Sequence, residues 1–249
     1  MRFVVVYYVL LVGGLSAMLV EDGGWLAALT YYLGMPLGAA LVWYHAHRNL
    51  AIPAFQRYRH LLGDGVIGCA GAAAAVAGVF GALYALGWVS AGSFSLGILV
   101  WIGAQQVVVA TIEELAFRGV LQQFLTRAYG LSRGLIITAV LFGLFHLPNI
   151  LFQEVPAAHI PLTLINLTLM GWLFGWAMQR TGEHVWLPLA LHLGWNTASF
   201  GLVDAATLDF SGPSWLTGSS TWFPESGLSG MLGLVCVGLL IWGLTRDRR

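Results

Sequence analysis

Apolar runs of membrane-spanning length recur along this chain, and they constrain its fold more than any other feature. A helix needs about 20 mostly apolar residues to cross the hydrocarbon of a bilayer. Stretches of that kind lie near residues 3–20, 25–44, 66–89, 95–115, 134–151, 161–179, 185–203 and 228–244, eight in all. They are too long for barrel strands, and an open sheet edge has no hydrogen-bond partners in lipid. The sequence therefore predicts an all-α, polytopic membrane bundle of about eight transmembrane helices, one integral membrane domain over residues 1–249. Charged residues make up only 9% of the chain and hydrophobic residues 58%, whereas soluble domains carry about 25% charged residues. That balance excludes disorder, a nucleic-acid binder built on basic patches and a disulfide-stapled secreted module. Arg2 precedes an apolar run as in a signal peptide, but the run is long for one and no small-residue cleavage site ends it. It reads as a retained anchor. Cys69 and Cys236 lie inside apolar runs and read as buried thiols, neither a bridge nor a metal knuckle.

The arginines orient the weave. All 11 basic residues are Arg, and net charge is zero. Arg2 lies before the first stretch, Arg48, Arg57 and Arg59 between the second and third, and Arg118, Arg127 and Arg133 between the fourth and fifth. Arg180 lies between the sixth and seventh, and Arg246, Arg248 and Arg249 follow the eighth. All fall on one side of an eight-span weave, while Glu21, Asp22, Glu154, Asp204, Asp209 and Glu225 fall on the other. The positive-inside rule then places both termini in the cytoplasm. Residues 45–65, with His45, His47 and His60, read as an interfacial segment, and residues 204–227, rich in Gly, Ser and Pro, as an outer loop.

An ionisable side chain at the bilayer centre costs about 2.5–3.5 kcal/mol on insertion scales, so each one needs a reason. Glu113 and Glu114 sit at the inner end of the fourth stretch, His146 within the fifth, and His192 and Asn196 within the seventh. Glu114 and Arg118 are four apart and share a helix face, which predicts an ion pair. Glu113 points about 100° away and is left to face another part of the bundle. Two glutamates at a helix C-terminus oppose the macrodipole, which argues against a merely terminal role. His192 and Asn196 share one face, and Phe142 can pack beside His146. Together these residues suggest hydrolysis at the inner leaflet. A carboxylate in a poorly hydrated site becomes a competent general base for water. Alternatively, Glu113, His146, His192 and Asn196 form a candidate site for zinc or another divalent metal, which would lower the pKa of bound water. Asn196 and one imidazole could donate to a developing oxyanion. Gln105, Gln106 and Asn166 can line the cavity or join helices.

These residues also carry a resemblance. Glu113-Glu114-Leu115-Ala116-Phe117-Arg118 fits EExxxR, Phe142 to His146 fits FxxxH, and His192 to Asn196 fits HxxxN. Their order on three separate spans resembles the CPBP intramembrane proteases, which include the CAAX prenyl endopeptidases and bacterial Abi-type proteins. The resemblance covers roughly residues 100–200. It implies Glu113 as the catalytic acid-base, with Glu114, Arg118, His146, His192 and Asn196 completing the site, by a metallo- or a glutamic-type mechanism.

Rival chemistries fit less of the string. No HExxH pentad occurs, and every Asp falls in a loop or terminus of the predicted weave. Gly227-Leu228-Ser229-Gly230 supplies a GxSG, but no His follows it, and Ser226 or Ser229 reads as a helix cap. His159 and His184 read as solvated or interfacial. A proton-coupled transporter would show internal repeats or broken helices, and neither is visible, although Pro188 could distort one helix. A non-catalytic immunity or partner-binding protein of the same fold is the other alternative. The reading favoured by the residues is an endopeptidase of a bacterial cell membrane, acting on membrane-embedded or lipidated peptide substrates and binding no nucleic acid.

Overall fold

The computed structural model describes residue 44 and residues 58–206, 208–219 and 222–247. The first two predicted spans, apart from Tyr44, lie outside the described residues, as do His45, His47, Arg2, Arg48, Arg57, Arg248 and Arg249. The other six apolar stretches are helical. In chain order the elements are α1 (Leu61–Ala85), β1 (Val89–Ser90), α2 (Leu96–Glu114), a π-helical segment (Leu115–Gln122) and α3 (Gln123–Tyr129). There follow α4 (Leu131–Phe145), α5 (Leu147–Phe152), α6 (Ile160–Arg180) and α7 (Trp186–Ala205), then β2 (Asp209–Phe210), α8 (Ser214–Thr217) and α9 (Ser229–Thr245). Four helical runs among the described residues are long and apolar enough to cross a membrane: Leu61–Ala85, Leu96–Tyr129, Leu131–Phe152 and Ile160–Arg180. The apolar helix Ser229–Thr245 is shorter.

Local sequence explains the breaks. Ser95 opens α2, its Oγ accepting from the N–H of Ile98 at 3.4 Å. No Gly or Pro breaker stops that helix at Glu114, so it runs on through the π-helical turns to Tyr129, a length of 34 residues. It ends at Gly130, whose φ of +87° a side chain would strain. Glu113 therefore lies near the midpoint of the run, not at its inner end, and Arg118 is buried in the bundle instead of lying in a connection. Pro148 follows two residues after His146. It has no N–H to continue the helical ladder, so α4 gives way to α5 with His146 at the junction. Pro188 breaks nothing. It sits in the first turn of α7, where its missing N–H has no helical partner to lose.

Side-chain contacts join several of the helix ends to one another. Arg180 donates to Thr245 Oγ1 at 3.0 Å and to its carbonyl at 2.9 Å, Gln179 donates to the Leu131 carbonyl at 3.2 Å, and the rings of Tyr58 and His184 lie 4.6 Å apart. The start of α1 thus lies beside the start of α7, and the end of α6 beside the start of α4 and the end of α9. At the other end, β1 and β2 form a small antiparallel ribbon, an addition to the expected all-helical chain that lies between helices. A core of Val76, Phe174, Leu191, Trp195, Val237 and Ile241 joins α1, α6, α7 and α9. The outer faces stay apolar, as lipid requires: Leu62, Val66, Leu96 and Leu239 are all largely exposed. Cys236 is on that exposed surface too, and Cys69 is half-buried, so neither thiol is in the core that their apolar runs suggested.

The connection after α7 departs furthest from expectation. Residues 222–227 are buried, not looped over the surface. Irregular backbone within a membrane bundle must find partners inside the protein, and here helix side chains supply them. Asn166 Nδ2 donates to the carbonyls of Glu225 at 2.7 Å and Gly227 at 3.0 Å. His159 Nδ1 donates to the Ser226 carbonyl at 3.0 Å, so His159 is a buried anchor and not a solvated residue. Ser226 Oγ accepts from the Ser219 N–H at 2.7 Å, and neither Ser226 nor Ser229 caps α9.

Candidate active site

Five helices (α2, α4, α5, α6 and α7) and the buried segment line a cavity of about 160 Å³. Gln106 and Glu113 reach it from α2, Phe142 from α4, His146 from the α4–α5 junction, and His192 and Asn196 from α7. Trp222 and Glu225 close it from the segment before α9. Three residues that the sequence places on separate spans meet at one atom. Glu113 Oε2 lies 3.6 Å from His146 Nε2 and 3.9 Å from His192 Nε2, and it has no hydrogen-bond partner among the described residues.

The tautomers follow from what stands behind each ring. His146 Nδ1 is 2.8 Å from the Phe142 carbonyl, which can only accept, so Nδ1 carries the proton and Nε2 faces Glu113. His192 Nδ1 is 2.8 Å from Glu114 Oε1 and likewise donates to a carboxylate, again leaving Nε2 toward Glu113. The FxxxH spacing thus does more than pack a ring: it supplies the carbonyl that fixes the imidazole. Phe142 also lies 4.8 Å from His146 between ring centroids.

Glu114 and Arg118 form the ion pair that their spacing predicts, at 2.9 Å and almost fully buried. Arg118 Nη2 donates to the Gly171 carbonyl at 3.0 Å, and its guanidinium stacks 4.5 Å from the Phe142 ring centroid. The missing side chain of Gly171 permits this, because a Cβ there would meet Phe142 Cβ at 3.0 Å. Glu114 and Arg118 do not line the cavity. They stand behind it, orienting His192 and tying α6 to the π-helical segment, and π-helical turns recur at functional sites.

Asn196 lines the cavity and donates through Nδ2 to Gln106 Oε1 at 2.9 Å. Gln106 is therefore a partner of Asn196 and not only a helix contact. Two imidazoles and a carboxylate are chemically a zinc donor set. As they stand, no three His, Cys, Asp or Glu side chains among the described residues are grouped closely enough to hold a metal ion, so a metal would have to draw these side chains closer. Ser229 of the GxSG is buried without a hydrogen-bond partner among the described residues and does not line the cavity.

Glu225 is the residue that sequence reasoning missed, because it falls in an apparently ordinary outer loop. Its carboxylate accepts from Trp195 Nε1, and the whole residue is buried. Burial pushes its carboxyl up to about 7, against the lowering effects of the Trp195 N–H and of nearby His146.

No curated protein and no solved structure matches this chain. Residues 95–198, which carry α2 through most of α7 and with them all three motifs, match the family model described as type II CAAX prenyl endopeptidase Rce1-like, in agreement with the resemblance carried by EExxxR, FxxxH and HxxxN.

Proposed function

We propose that this protein is an intramembrane endopeptidase that hydrolyses peptide bonds of membrane-associated substrates, with Glu113 as the group that moves the proton. The observation that carries this reading is the placement of Glu113 Oε2, unbonded on the wall of a polar cavity and facing two imidazole Nε2 atoms at 3.6 and 3.9 Å. A cavity of about 160 Å³ has room for water beside that oxygen. The family match on residues 95–198 supports a protease over a transporter or a non-catalytic relative.

In the proposed reaction Glu113, assisted by His146 Nε2, takes a proton from water as its oxygen attacks the scissile carbonyl carbon. The oxyanion accepts hydrogen bonds from the remaining N–H of Asn196 and, when His192 is protonated, from its Nε2–H. His192 keeps its Nδ1–H on Glu114 throughout. Collapse of the tetrahedral species breaks the C–N bond, and Glu113 returns the proton to the departing amine. A divalent metal, if bound, would draw on Glu113, His146, His192 and Asn196 and would activate the same water. With the Arg-bearing ends in the cytoplasm, the protein is a multi-pass component of a bacterial cell membrane, and its peptide enters among the helices.

Cleavage of a membrane-anchored peptide library by purified protein in detergent tests the reading. Wild type and Glu113→Gln are compared, each with and without a zinc chelator. Cleavage that needs Glu113 and survives the chelator supports the metal-free route, and loss restored by added zinc supports the metal. Equal cleavage by the Glu113→Gln protein refutes the assignment.

A further inference from the structure

Part of the cavity wall is built by a segment outside the family match, and that segment carries a second carboxylate. Glu225 lines the cavity, and its position is fixed at three points. Asn166 holds its carbonyl, Trp195 donates to its Oε1, and His159 holds the carbonyl of the next residue. Holding irregular backbone in a helix bundle this firmly is not needed merely to cover a hole, since an apolar side chain would do so without burying an acid. The acids of the cavity face imidazoles, His146 among them, but no permanently cationic side chain. No Lys or Arg lines the cavity, and the nearest guanidinium, Arg118, pairs with Glu114 behind the wall. Glu113 and Glu225 are thus two acids facing a space whose nitrogen groups are imidazoles, carboxamides and the Trp222 indole.

We infer that Glu225 is a specificity-determining residue that accepts from a cationic side chain of the bound peptide, so that the protein selects a Lys or Arg close to the scissile bond. This rests on the proteolytic reading of the site. The aromatic rings of Phe142, Phe145 and Trp222 in the same lining suit the aliphatic stem of such a side chain, which buries its methylenes and presents its charge at the tip. Charge-assisted pairing in a water-poor site gives discrimination of about tenfold or more over a neutral isostere.

The test uses membrane-anchored peptides of one sequence carrying Lys, or Gln in its place, at each position within three residues of the cleaved bond. The expected result is a wild-type preference for Lys of about tenfold in kcat/KM at one position. That ratio falls to about one in Glu225→Gln and recovers in Glu225→Asp. The same peptide pairs are titrated against Glu113→Gln and against the Glu113→Gln, Glu225→Gln double variant, reading the Kd ratio without any cleavage. No preference at any position in wild type overturns the inference, as does a preference that Glu225→Gln leaves intact. If wild type cleaves nothing but Glu113→Gln binds the Lys peptide more tightly and the double variant does not, Glu225 keeps its role and the proteolytic reading falls. Equal binding of both peptides overturns the role of Glu225 whatever the cleavage result.

Discussion

The cavity has a helical wall and an irregular wall, and the two are built on different principles. On the helical wall, Glu113, His146, His192 and Asn196 ride on helices or their junctions; Phe142, four residues back, orients His146, and a facing helix orients His192 and Asn196. On the irregular wall, Trp222 and Glu225 are placed by anchors far away in sequence, 59 residues in the case of Asn166. A helix fixes its backbone through its own ladder, so spacing places these side chains even where the partners that orient them, Glu114 for His192 and Gln106 for Asn196, lie 78 and 90 residues away. An irregular segment inside a helix bundle has no ladder and must take its register from tertiary hydrogen bonds. The helical wall should therefore fail by losing chemistry and the irregular wall by losing position.

The sharpest way to break that distinction is Glu113→Gln. The variant keeps volume and hydrogen-bonding capacity but cannot hold a proton for water, so cleavage should fall by about 10²–10⁴-fold. Its thermal midpoint in detergent should stay close to wild type, because Glu113 Oε2 makes no hydrogen bond to lose among the described residues. A variant that unfolds instead would make Glu113 a structural residue and erase the difference between the walls.

Glu114→Gln should do the reverse. It leaves the Arg118 guanidinium buried without its counter-charge, and breaking a buried pair by removing one partner costs about 3–5 kcal/mol. Denaturant or thermal unfolding reads this directly. The adjacent glutamates then separate cleanly, one in activity and one in stability. Equal stability of the two variants would show that the EE pair works as one unit.

How much of this was legible follows from the same contrast. The six described apolar stretches became helices because length and hydropathy decide that outcome in lipid, and Glu114–Arg118 paired because a four-residue spacing does so on any helix. The extension of α2 to Tyr129 was not legible. Glu113, Glu114 and Arg118 look like a helix end by hydropathy, and only their mutual burial in the bundle removes the need for one. Glu225 was invisible for a stronger reason. The GxSG that follows it points to a different chemistry, and Asn166, its anchor, reads equally well as helix glue. His159 was misread in the same way, since an imidazole beside a turn looks solvated until a carbonyl is brought to it.

Asn166→Ala should sharpen the comparison on the irregular wall. Two carbonyls lose their donor, at a cost of about 1–3 kcal/mol for buried groups left unsatisfied. Hydrogen exchange at residues 222–227 should quicken, while the amides of α2 around Glu113 keep wild-type protection. Matching acceleration in both places would mean that the walls are one cooperative unit.

The smallest effect is a change of slope with pH. The folded protein holds the Glu225 proton up to about 7, above the ordinary 4.5, so the folded state binds that proton more tightly than the unfolded chain does. The resulting stabilisation is fully present below about 4.5 and is lost as pH rises through about 7. Glu225→Gln cannot titrate. His146 and Glu225 interact electrostatically, so the difference between the two melting curves reads Glu225 together with that coupling. The midpoint of wild type should decline relative to the variant across this window and run parallel to it outside. Curves that stay parallel throughout would mean that Glu225 is solvated in the folded protein, and the irregular wall would then be an open loop, as its composition first suggested.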